Sequence, residues 1–219
     1  MKIGIMGGTF DPIHIGHLLL GEFAYENFGL DEIWFLPNGN PPHKITDESG
    51  VSLSDRIEMV RLATEEIPYF RVNLYETATK DHSYTYSTLN AFRERYPEHR
   101  FYFILGADSL FSIEDWKNFR EIFPLCTILA AMRDDKDAES MKEQIRYLQG
   151  RYQADIRLLQ APLVEISSTT IRKRAEQGLS VRYMVPDVVS DYIAKNHLYI
   201  KGVSDTDDRR TGEDPQGSL

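Results

Sequence analysis

Cys126 is the only cysteine in the chain, so no internal disulfide can form and no cysteine-built zinc site is available. Lying in the apolar run Leu125-Cys126-Thr127-Ile128-Leu129, it is expected to be a small buried hydrophobe. Long hydrophobic runs are missing too. Charged or turn-forming residues break every apolar stretch well before the ~20 residues needed to cross a bilayer, and the N-terminus has no signal-peptide pattern. The expected compartment is the cytoplasm. Positive charge is scarce: 25 Lys and Arg face 34 Asp and Glu, a net charge of −9. Tracking the phosphates of DNA or RNA needs a basic surface, so a groove binder is disfavoured, whereas a local basic pocket for one nucleotide is not. No internal repeat is visible, and neither a P-loop nor the Gly-x-Gly-x-x-Gly dinucleotide fingerprint occurs.

What is present is an alternation of strand and helix patterns. At 219 residues the chain suits one α/β domain with a small attached part. Ile3–Met6 reads as a strand, and Leu18, Leu19, Phe23, Ala24 and Phe28 as a helical stripe ending at Gly29. Ile33–Leu36 is a second strand stopped by Pro37, which implies a right-handed parallel crossover. The turn-rich segment Pro37–Lys44 reads as a loop running on to Gly50. A helix from Ser52 closed by Pro68, a strand over Phe70–Leu74 and a helix bearing Leu89, Phe92 and Tyr96 follow. Phe101–Leu105 is apolar throughout, as a central strand requires, and leads into Gly106-Ala107-Asp108-Ser109. Leu125–Met132, Glu139–Leu148 and Ile156–Leu159 read as strand, helix and strand. This pattern predicts a Rossmann-like doubly wound parallel sheet over 1–165 and a C-terminal helical part over 166–201, in which Pro186 would open the last helix. The polar stretch 202–219 is expected to be disordered.

The chain's chemistry gathers on Gly7-Gly8-Thr9-Phe10-Asp11-Pro12-Ile13-His14-Ile15-Gly16-His17. It reads as strand end, glycine-rich turn and helix start. Three residues apart, His14 and His17 share one helix face, and Gly16 between them has no Cβ to hold a ligand off the backbone. A helix start adds unpaired N–H groups and roughly half a positive charge, which suits a polyphosphate. Zinc ligation is the competing reading, weakened by the lack of a glutamate between the histidines and of further cysteines. A second constellation, Ile166-Ser167-Ser168-Thr169-Thr170-Ile171-Arg172, opens a helix whose hydroxyls and arginine can hold phosphate oxygens or simply cap it. Asp108 follows a strand end and can bind a ribose hydroxyl or a metal–phosphate complex, or cap the next helix. Lys44 is a candidate lid over phosphates or a solvated loop lysine. Trp116 is either core or a stacking platform, and Arg133 a further possible nucleotide contact.

The string from Gly8 to His17 resembles the signature of the nucleotidylyltransferase superfamily, and the 166–172 segment its second ATP-gripping motif. Together with Pro41-Pro42-His43-Lys44, Tyr84-Thr85, Gly106-Ala107-Asp108 and Trp116, the chain over residues 1 to 200 resembles the bacterial nicotinate-nucleotide adenylyltransferases. The resemblance implies that His14, His17 and Arg172 act on ATP phosphates. It also implies that Gly8, Thr9, Phe10, Gly106, Asp108, Arg133, Ser167, Ser168 and Thr169 bind ATP. Lys44, Thr85, Trp116 and Lys117 would then bind nicotinate mononucleotide, Thr85 and Lys117 through backbone N–H groups, with Thr85 and Trp116 in loops after strands. Mg²⁺ would come with ATP. The implied reaction joins ATP and nicotinate mononucleotide into deamido-NAD and pyrophosphate. Other acceptors (nicotinamide mononucleotide, phosphopantetheine), a non-catalytic nucleotide sensor and a homo-oligomer remain open.

Overall fold

In a computed structural model, residues 1–39, 51–78, 84–132, 138–162 and 164–200 are described. The expectations placed on Lys44, on Arg133 and on the tail from residue 202 lie outside them. A six-stranded sheet, parallel at every pairing, has the order β3-β2-β1-β4-β5-β6. Its strands are β1 (Lys2–Gly8), β2 (Glu32–Pro37), β3 (Phe70–Val72), β4 (Arg100–Gly106), β5 (Thr127–Ala131) and β6 (Ile156–Leu159). Between them run α1 (Ile15–Phe28), α2 (Leu53–Thr64), α3 (Thr85–Arg95), the short α4 (Ala107–Phe111) and α5 (Phe119–Ile122), and α6 (Ala138–Tyr152). After β6 come α7 (Ser168–Glu176) and α8 (Asp187–Lys195).

Alternation along the strands sorts the core into two layers. Ile3 and Ile5 of β1, with Phe101, Phe103 and Leu105 of β4, face α3, α4, α5 and α6. Met6 of β1, with Tyr102 and Ile104 of β4, faces α1, α2, α7 and α8. Strands buried on both faces read as continuous apolar runs, which is how β4 stands out in the sequence. Ile171, Val181, Val185, Val189 and Ile193 of the C-terminal helical part share a core layer with Phe10 and Ile13. That packing brings α7 against the loop after β1.

Several boundaries differ from the sequence reading. The helix from Ser52 stops at Thr64 rather than at Pro68. Ile67 packs against the core from outside it. Thr64 turns its hydroxyl back to the Val60 carbonyl at 2.8 Å, the local competition by which a β-branched hydroxyl residue weakens a helix end. β3 ends at Val72, and Leu74 is exposed at the start of a 3₁₀ turn over Tyr75–Thr77. β5 is confined to Thr127–Ala131, whereas α6 runs on to Tyr152. Pro186 is the cap before α8, not its first helical residue. Gly29 ends α1 with φ of 57°, the left-handed conformation for which glycine has no Cβ penalty.

Candidate active site

The chain leaves β1 toward β2 on one side and later takes β4 to β6 on the other, so a crevice opens at the carboxyl ends of β1 and β4. Such a switch point is where ligands bind in open α/β sheets. Two adjoining cavities occupy it, of about 490 Å³ and about 340 Å³, and Gly7, Phe103, Ser109 and Trp116 line both.

The smaller cavity holds the histidine pair. His14 caps α1 and His17 sits in its first turn, their rings stacked with centroids 3.7 Å apart. A Cβ on Gly16 would lie 3.1 Å from the His14 ring, so glycine is what lets the imidazole lie this close to the backbone. The backbone N–H of His14 donates to Nδ1 of His17 at 3.3 Å, which leaves the proton of a neutral His17 on Nε2. Phe10 is buried and meets the His17 ring edge-on at 5.1 Å, so its side chain props the histidine and any contact with a nucleotide falls to its backbone. Burial lowers His14 to about 4. Burial first and the neighbouring His14 second lower His17 to about 3. Both imidazoles are neutral at pH 7 in the ligand-free protein. Among the described residues, Nδ1 of His14 is buried without a hydrogen-bond partner.

Ser167 also lines this cavity and caps α7, its Oγ accepting from the Thr170 N–H at 3.1 Å. The two readings of this serine are therefore compatible. Gly106 lines the cavity at the end of β4, and Asp108 lies exposed in the first turn of α4. The cap of that helix is Gly106, not Asp108. Gly8, Thr9, Ser168, Thr169 and Arg172 do not line the cavity but form the frame around the loop after β1. Ser168 Oγ donates to the Pro12 carbonyl at 2.9 Å, and Arg172 donates to the Asp11 carbonyl at 2.8 Å and to Thr169 Oγ1 at 3.3 Å. The Asp11 carboxylate, 4% exposed, accepts from the Tyr199 hydroxyl at 2.8 Å and stands 3.8 Å from Arg172. Arg172 is thus part of a buried network holding the loop, with its side chain still 21% exposed.

The larger cavity brings Thr85, Trp116 and Lys117 together. Thr85 opens α3 rather than lying in a loop, and Trp116 ends a 3₁₀ turn over Ile113–Asp115. A helix start serves a ligand better than a loop, since its first N–H groups have no partner within the helix. Half-buried Trp116 meets Phe103 edge-on at 6.2 Å and divides the two cavities. The Lys117 ammonium lies 4.4 Å from the Tyr84 ring centroid. Sequence reasoning missed Asn38, Glu76 and Ser109 as lining residues. Asn38 was visible only as part of a turn-rich stretch, although its Oδ1 is buried without a partner among the described residues. Glu76 arrives from the 3₁₀ turn after β3 and accepts from Thr88 Oγ1 at 2.8 Å, and burial raises its carboxyl above the usual range.

The strand-to-helix loop thus sets paired histidines at the switch point of a parallel sheet. The chain belongs to the cytidylyltransferase-like family, whose model matches residues 5–174. More narrowly, it is similar to proteins named probable nicotinate-nucleotide adenylyltransferase. That of Lachnoclostridium phytofermentans is 42% identical over 199 residues, 91% of this chain and 99% of that protein. One from Clostridium perfringens is 42% identical over 202 residues, 90% of this chain and 98% of that protein. In fold the chain resembles Plasmodium falciparum nicotinic acid mononucleotide adenylyltransferase, solved in complex with NaAD, with a TM-score of 0.72 at 23% identity over 90% of this chain and 97% of that one.

Proposed function

We propose that the chain transfers the adenylyl group of ATP to nicotinate mononucleotide, forming deamido-NAD and pyrophosphate in NAD biosynthesis. The observation that carries this reading is the pair of confluent cavities, one holding His14 and His17 and the other Thr85, Trp116 and Lys117, in a chain 42% identical to enzymes of that name.

The phosphate of the mononucleotide is already ionised near neutral pH, so attack on the α-phosphorus needs no general base. What the protein supplies is alignment and stabilisation of the charge that develops on the leaving pyrophosphate. Nε2–H of His17 and the N–H of Gly16 in the first turn of α1 donate to phosphate oxygens, the Ile15 N–H being taken by the Met184 carbonyl at 3.0 Å, with Arg172 adding charge from α7. Bound phosphates favour the charged imidazole and so raise the depressed histidine values toward neutrality. No group of three or more His, Cys, Asp or Glu side chains able to hold a metal occurs among the described residues. A Mg²⁺ arriving with ATP would be held by phosphate oxygens and water and would neutralise phosphate charge.

In the larger cavity the ring lies on Trp116. Its carboxylate takes donors from the backbone N–H groups of Thr85 and Lys117, a pair that an amide, carrying donors of its own, satisfies less well. The test is pyrophosphate release and dinucleotide formation with ATP and each of nicotinate mononucleotide, nicotinamide mononucleotide and phosphopantetheine. The acid is expected to show the highest kcat/KM, and equal values for acid and amide would overturn the assignment. Trp116→Ala is expected to raise the KM for nicotinate mononucleotide more than that for ATP, since base stacking on an aromatic ring is worth roughly 1–3 kcal/mol.

A further inference from the structure

Arg56 lies in α2, outside both motifs in the sequence, and belongs to neither cavity lining. It is nonetheless 4% exposed, an unusual place for a guanidinium. Its two terminal nitrogens reach backbone carbonyls of two different loops: Nη1 donates to Thr9 at 2.7 Å and Nη2 to Asn38 at 3.0 Å. Thr9 lies in the loop between β1 and the histidine pair. Asn38 follows β2 and lines the larger cavity. The same two loops meet once more where the Asn38 N–H donates to the Gly8 carbonyl at 2.9 Å.

We propose that Arg56 is a positioning residue for adenylyl transfer: its planar fork clamps the loop that presents ATP to the loop that presents the mononucleotide, and so sets the distance between the two substrates. This inference rests on the reaction assigned above. In-line displacement demands that the attacking phosphate oxygen and the α-phosphorus be aligned, and a small misplacement of two well-bound reactants costs rate rather than affinity. The choice of arginine fits the task. A lysine is a point charge on a flexible stem and cannot hold two carbonyls in one fixed plane, while an apolar side chain would fill the space and leave both carbonyls without this donor. From the other side, Arg172 and Ser168 of α7 hold the carbonyls of Asp11 and Pro12, so the loop is braced between two helices and Arg56 alone of these braces also reaches Asn38.

The experiment compares wild type with Arg56→Lys, Arg56→Gln and Arg56→Met in the complete chain. It measures kcat, the KM for ATP and for nicotinate mononucleotide, and the dissociation constant of each substrate alone, all normalised to folded protein from thermal unfolding. In at least the lysine variant, kcat is expected to fall by roughly 10- to 100-fold while each KM and dissociation constant changes by less than about threefold. A normalised kcat equal to wild type would overturn the proposal, as would a loss confined to the affinity for one substrate. Failure of every variant to fold would make Arg56 a structural residue and overturn it as well. Wild-type protein that forms no dinucleotide would defeat the assigned reaction itself, whereas active wild type with unimpaired variants defeats only the role of Arg56.

Discussion

His14 and His17 are held neutral by burial in the cavity to which the proposed function assigns the ATP phosphates. Their lowered values, about 4 and about 3, mean that a free imidazolium would be costly there until phosphate arrives. ATP should therefore raise both, and an NMR titration of the two imidazoles with and without ATP should show upward shifts, accompanied by proton uptake on binding near pH 6. Unmoved titration curves would remove the histidines from contact with phosphate. Removal of the better-placed donor tests the same point through rate: His17→Ala should keep native thermal stability and lose turnover by on the order of 10²-fold, the cost of one transition-state donor. Near-native turnover with native stability would contradict the role given to His17.

Helix α1 points its first turn, with His14, Gly16 and His17, toward the smaller cavity. It has no acidic residue in that turn, so no side-chain charge offsets the positive end of the helix dipole. Gly16 keeps the turn open. A Cβ there would stand 3.1 Å from the His14 ring, tight enough to displace the imidazole by a few tenths of an ångström. In a helix, alanine is preferred over glycine by about 1 kcal/mol. Gly16→Ala is therefore expected to leave the melting temperature unchanged or raise it while lowering kcat by about tenfold, because misplacement costs rate where catalysis is positioning. Stability and activity moving in opposite directions is the signature to look for, and a variant with undiminished kcat would show that phosphate does not approach the backbone at this turn.

At the level of the complete chain, Tyr199 and Asp11 are 188 positions apart and share a buried hydrogen bond of 2.8 Å. This bond ties the last described segment to the loop after β1. Tyr199→Phe removes the donor and leaves a buried carboxylate oxygen less satisfied, at a cost of about 1–3 kcal/mol. In a chain this long, that lowers the melting temperature by roughly 2–4 °C per kcal/mol, which calorimetry would resolve. Stability should also depend on pH through the histidine pair. Between pH 6.5 and their folded values, the unfolded chain binds protons that the folded one does not, so stability rises with pH across that window and is lost as pH falls below 6.5. The slope is at most about 1.4 kcal/mol per histidine per pH unit, and replacing both by asparagine should flatten it.

Local patterns determined much of this. The apolar runs of β1, β2 and β4, the cap at Gly29 and the string from Gly8 to His17 are statements about neighbours in the chain, and periodicity and turn chemistry report on neighbours. The parallel sheet, the strand–loop–helix course through His14 and the serine-capped helix start at 166–172 were legible for that reason. Helix and strand ends were less so, as at Thr64 and Val72, because fraying and side-chain competition decide them by fractions of a kcal/mol. Only the tertiary structure could decide that Phe10 is buried against Phe35, that Asp11 engages both Arg172 and Tyr199, and that Glu76 and Asn38 enter the second cavity. The contacts concerned run from Phe10 against Phe35 to Asp11 against Tyr199, 188 positions away, beyond the reach of local pattern. The role inferred for Arg56 belongs with them: within its helix it reads as an ordinary charge, and only the folding of two strands beside one another places both carbonyls within reach of its fork.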